Sequence, residues 1–175
     1  MNTFHRVMVL MLVFAFAVAF STAENKYVGA AKCKMCHSAA GVAGEAYKGG
    51  EKSTHAKAFE VLKGKEAEEI AKKKGLTKAA AESPECLKCH VTGGGKAAEV
   101  KKEEGVSCEA CHGAGSEFAK IPHGKDKEKA KAAGLVLGDN TGKACETCHN
   151  AESPTYKEFK FAEMWKKIEH GGKKK

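Results

Sequence analysis

Four pentapeptides constrain this chain more than any other feature. They are Cys33-Lys34-Met35-Cys36-His37, Cys86-Leu87-Lys88-Cys89-His90, Cys108-Glu109-Ala110-Cys111-His112 and Cys145-Glu146-Thr147-Cys148-His149. Together they use all eight cysteines of the 175 residues. Each reads Cys-x-x-Cys-His, the pattern that attaches haem c. Two intervening residues let the backbone curl so that both thiols reach the two vinyl groups. The following imidazole then meets the iron from below. Zinc sites, thioredoxin-like redox pairs and disulfides also use paired cysteines. None of them requires a histidine directly after the second cysteine in every pair. The expectation is four covalently bound haems, attached at Cys33, Cys36, Cys86, Cys89, Cys108, Cys111, Cys145 and Cys148. His37, His90, His112 and His149 are then the proximal iron ligands.

The remaining histidines are few. His5 lies in the N-terminal segment, which leaves His55, His123 and His170 for four irons. At most three haems can therefore carry two histidines from this chain. The fourth is five-coordinate or takes another ligand. Met164 is the one methionine outside both the N-terminal segment and the Cys-x-x-Cys-His units. A thioether there could serve, and so could core packing on the stripe of Phe161, Met164, Trp165 and Ile168.

Residues 1–23 read as a secretory signal peptide: Arg6, an apolar run from Val7 to Phe20, then Ser21-Thr22-Ala23. An uncleaved anchor is the alternative. Cleavage leaves residues 24–175 as one domain, in the periplasm or secreted, with no segment for stable membrane insertion. The formal charge of +8 invites a nucleic-acid reading. Haem bookkeeping removes it: without Arg6, and with eight propionates and four iron cores, the holoprotein stands at about +3 oxidised and about −1 reduced. Many lysines are then counterions and a partner-steering surface, and Lys173-Lys174-Lys175 is a tail.

Large aliphatic residues are sparse outside the N-terminal run, too sparse for an ordinary core. Four porphyrins can supply the missing apolar mass, so the chain without haem is expected to be largely disordered. The fold class expected is mainly α: short helices and loops wrapped around a four-haem core, with little or no β-sheet. Ser53 to Lys74 reads as one or two helices, broken near Gly64 and stopped at Gly75. His55, Phe59 and Leu62 share a face there. Asp126 to Ala133 reads as a helix ended by Gly134, and Phe161 to His170 as a helix capped by Gly171. Residues 93–105 read as a loop or a short helix, and 150–158 as a connector. The seventeen residues between His90 and Cys108 should hold the second and third haems near each other.

From about Tyr27 to His170 the chain resembles the tetrahaem cytochrome c-554 family. The likeness rests on the lead-in to Cys33, Thr54-His55-Ala56-Lys57-Ala58, Cys86 to Val91, Gly105 to Gly113, and Phe159-Lys160-Phe161-Ala162-Glu163-Met164. The resemblance implies haems in stacked pairs within a mainly helical fold. It implies that the haem on His37 takes His123, that on His112 takes His55, and that on His149 takes His170. The His90 haem would be open. It also implies electron transfer between redox proteins, with a hydroxylamine oxidoreductase-like donor. The 150–158 connector is shorter than its family counterpart, which helps cover the open haem. The leading function is a periplasmic electron shuttle. The alternatives are an enzyme reducing nitric oxide or another small nitrogen oxide at the His90 haem, and a filament subunit, against which the missing eighth histidine counts.

Overall fold

A computed structural model describes residues 24–38, 46–137 and 142–170. The N-terminal segment 1–23, the Gly171 cap and the lysine tail lie outside the described residues. The described chain is a series of short helices joined by turns, and no strand occurs among the described residues. Helix α1 spans Ala30–His37 and α2 spans Ala46–Lys52. A 3-10 turn at Glu60–Lys63 leads through Gly64 into α3, Lys65–Lys73. Next come α4 at Pro84–His90, α5 at Cys108–His112, α6 at Lys127–Ala132, α7 at Lys143–Glu146 and α8 at Phe161–Ile168.

The stops follow local chemistry. Gly75 ends the α3 region with φ 68° and Gly134 follows α6 with φ 97°, backbone that glycine adopts without a Cβ clash. Asp126 caps α6 by accepting from the Lys129 N–H. Pro84 opens α4, where its missing N–H is not needed. The stretch after Ser53 differs from expectation. It makes turns from Ser53 to Phe59 rather than a helix opening at His55. The Ser53 hydroxyl accepts from the Ala56 N–H, and the Val106 N–H takes the His55 carbonyl. That second bond recruits a carbonyl that a continuing α-helix would have used.

Side-chain cores are small. Phe59, Leu62, Ala71, Ala80, Leu87, Val91 and Val100 form one, between the 3-10 turn, α3 and α4. Phe118, Ala130 and Leu135 form another around α6. In 142–170 only Gly142 is buried. Met164 is 38 % exposed, and Trp165 is half-buried against Phe161. Among the described residues, the stripe of Phe161, Trp165 and Ile168 is half-buried and Met164 lies at its exposed edge.

Thr92 and Gly105 tie the second and third motifs together. The buried Thr92 N–H donates to the Gly105 carbonyl, and its hydroxyl meets Ser107. Gly105 has φ 59°, and a Cβ there would meet the Ala56 and His55 carbonyls at 2.6 and 2.7 Å. Only glycine lets the His55 turn approach so closely. No helix among the described residues is long and apolar enough to cross a membrane.

Candidate haem sites

Each motif winds into one helical turn, which is what presents two thiols and one imidazole to a single disc. Cys33–His37 lies in α1, Cys86–His90 in α4 and Cys108–His112 in α5. In the fourth, α7 runs on as a turn, with the His149 N–H donating to the Cys145 carbonyl. No disulfide joins the cysteines. The Cys33 thiol lies beside Cys108, and the Cys89 thiol beside Cys148, near enough for each neighbour to raise its pKa. The first motif therefore sits on the third and the second on the fourth. Burial and the neighbouring Cys148 push the Cys89 thiol up to about 11.

The histidines gather in pairs. His37 and His123 stack with ring centres 5.5 Å apart and Nε2 atoms 3.2 Å apart. His55 meets His149 at 6.0 Å, and His112 meets His170 at 6.0 Å. Two imidazoles sharing a metal at bonds of about 2 Å have nitrogens roughly 4 Å apart and ring centres roughly 6 Å apart. The ring centres of His55–His149 and His112–His170 stand at that spacing, and the His37 and His123 nitrogens, at 3.2 Å, would part by less than about 1 Å to admit an iron. Each pair joins one Cys-x-x-Cys-His histidine with one of the three others. His90 has no histidine ring facing it among the described residues.

Two of the pairings implied by family resemblance are exchanged. His55 faces His149, not His112, and His170 faces His112, not His149. The physical reason lies in the chain's course. The His112 Nδ1–H donates to the Val136 carbonyl at 2.8 Å, and its ring meets His170. His149 instead stacks on Phe159 at 4.6 Å and presents an edge to His55.

Hydrogen bonds fix the tautomers. Nδ1–H of His90 donates to the Ala58 carbonyl at 2.6 Å, that of His123 to Ile121 at 2.9 Å, and that of His170 to Ile168 at 2.9 Å. With Nδ1 engaged, Nε2 is left as the basic nitrogen, as metal-bound histidines require. Burial lowers the pKa of His37 and of His55, reinforced by the facing His123 and His149 rings. The shift favours the neutral form of both rings, the form that can bind a metal. Met164 accepts a long contact from Lys167 Nζ at 3.7 Å.

One residue that motif reading overlooks is Glu109, inside the third motif. It is 2 % exposed. Its carboxylate accepts from the Val28, Gly29 and Gly115 N–H groups at 2.7–3.1 Å. No sequence signal marks it, because its donors are backbone groups of the distant lead-in.

Comparison with known proteins agrees with this architecture. Residues 32–113 match the family described as cytochrome c554 and c-prime. Cytochrome c-554 of Nitrosomonas europaea is 36 % identical over 104 residues, covering 55 % of this chain and 42 % of that protein. The aligned stretch thus spans less than half the length of that relative. The solved reduced state of cytochrome c554 from the same organism superposes with a TM-score of 0.60 at 27 % identity, covering 85 % of this chain and 86 % of that one. The chain is similar to the cytochrome c-554 family over its first three motifs. That likeness carries covalently bound haem c and the mainly helical fold.

Proposed function

We propose that the chain is an exported tetrahaem c-type cytochrome that carries electrons between redox proteins in the periplasm. Haem c at each motif supplies one-electron exchange at its iron. The eight cysteines anchor the four haems. His37 with His123, His55 with His149 and His112 with His170 hold three irons, and His90 holds the fourth alone. The observation that carries this reading is the pairing of three motif histidines with the three others at 5.5–6.0 Å. An iron with two imidazoles has no open position, which suits electron transfer without substrate binding. The thiol contacts between first and third motifs and between second and fourth favour stacked haem pairs. Such contact favours rapid exchange between haems.

A second reading follows from His90 standing without an opposite ring: reduction of nitric oxide or a similar nitrogen oxide at that haem. The redox partners are proteins, and a hydroxylamine oxidoreductase-like donor follows from family resemblance. Export of residues 24–175 rests on the signal-like residues 1–23. Mass spectrometry of the mature protein should give the mass of the chain plus four haems. Low-temperature electron paramagnetic resonance of the oxidised protein should give three low-spin signals and one high-spin signal. Four low-spin signals would refute the single-histidine site. Turnover of nitric oxide by the reduced protein would establish the second reading, and failure to bind it would remove that reading.

A further inference from the structure

Glu109 is the one buried carboxylate among the described residues, and it sits where two haem-attachment helices meet. Oε1 accepts from Gly115 N–H at 2.7 Å and Val28 N–H at 3.0 Å, and Oε2 from Gly29 N–H at 2.8 Å and Val28 N–H at 3.1 Å. Val28 and Gly29 are the residues that lead directly into α1, which carries Cys33, Cys36 and His37. Nearby, Glu104 accepts from the Ala30 N–H at 2.9 Å, at the first residue of α1. Gly29 has φ 79°, and a Cβ there would meet the Glu99 carbonyl at 2.7 Å, so this entry turn has one shape. The Glu109 charge is felt at both the Cys33 and Cys108 sulfurs. A buried charge is costly unless fully hydrogen-bonded. An apolar side chain at this position of the motif would avoid that cost, so the retained charge calls for a use.

We propose that Glu109 is a positioning residue that clamps the first haem-attachment helix onto the third and, as a fixed negative charge beside both, lowers the reduction potentials of the haems on His37 and His112. This inference rests on the tetrahaem reading above. Adding an electron to either haem brings negative charge toward a negative side chain in a medium that screens poorly. The haems on His90 and His149 attach to motifs that Glu109 does not contact, so they sit at higher potential on this account. Electrons arriving at the pair on α1 and α5 then run downhill toward the other pair.

The test is potentiometric titration of the holoprotein, with each haem followed by its paramagnetic resonance signal. The unaltered protein first shows four haems by mass, and failure there sinks the tetrahaem reading itself. Glu109→Gln keeps the shape and removes the charge. It should move the reduced-to-oxidised ratio of two low-spin haems roughly tenfold toward reduced at fixed ambient potential, about 59 mV for a one-electron couple. The high-spin signal of the His90 haem should stay in place. Glu109→Asp keeps the charge, and should leave the potentials near native while lowering thermal stability. Equal movement of all four haems, or no movement in Glu109→Gln, overturns the proposal while leaving the tetrahaem reading intact. If Glu109→Gln does not mature, Glu104→Gln should move the same two haems in the same direction by a smaller amount. Its failure to do so also overturns the proposal.

Discussion

Residues 53–105 and residues 142–170 carry one haem motif each, and they are held in opposite ways. The first region buries Phe59, Leu62, Leu87, Val91 and Val100 around α3 and α4. Its buried polar residues, Ser83 and Thr92, are satisfied within the chain. The second buries only Gly142 and leaves the apolar stripe of α8 half-buried. The motif in the packed region, at His90, has no second imidazole. Both histidines of the sparse region, His149 and His170, face a ring from elsewhere. On the proposed tetrahaem reading, side chains hold the His90 motif, whereas 142–170 depends on His149 and His170 meeting rings from elsewhere.

Removing haem should separate the two regions most. The chain produced without a haem-ligation system should lose all protection from protease across 142–170 and keep residual protection within 53–105. Equal cleavage of both would break the contrast. Next in size are core truncations of the holoprotein. Phe59→Ala should cost about 3–5 kcal/mol in chemical denaturation. Trp165→Ala, at a half-buried site on α8, should cost less than half as much.

Ligand changes sharpen the comparison from the other side. His170→Ala should convert one low-spin signal to high-spin and loosen α8, read by hydrogen exchange, with 53–105 unaffected. Acid should act later on buried rings. His55 and His37 have pKa values lowered below 6.5 by burial. The unfolded chain therefore binds these protons more readily than the folded one. Their contribution to stability is complete above pH 6.5 and is lost as pH falls toward the lowered values. A pH titration of the low-spin signals should show these two pairs intact at pH 6.5. The smallest effect belongs to Lys88→Ala. Its pair with Glu152 links α4 to the 150–158 connector but is exposed, and its loss should leave the melting temperature unchanged.

Much of this was legible in residue order, because covalent chemistry is local. Cys-x-x-Cys-His needs only one helical turn, and Asp126, Gly75 and Gly134 act on their immediate neighbours. The histidine count limited the chain to three doubly ligated irons without any structure. Which ring meets which was not legible. His55 reaches His149 across most of the domain, and that depends on where Gly105 lets the His55 turn settle. The Ser53–Phe59 turns were hidden for a similar reason: the Val106 N–H that claims the His55 carbonyl is remote in sequence. Glu109 was invisible because an acid between two cysteines looks like any solvent-facing motif residue until its backbone donors arrive.

The three imidazole pairs interlace along the chain: His37 with His123, His55 with His149, His112 with His170. Every span opens before the previous one closes. A polypeptide threaded across a membrane from its N-terminus would deliver His37, His55 and His112 before any of their counterparts. The earliest pigment to be attached must then wait, held from one side, until some ninety further residues have emerged, and the last closure completes only with the final helix. On the proposed tetrahaem reading, maturation of such a chain is bound to the order of its delivery, and a stall before His123 would leave the discs on His37 and His112 held from one side.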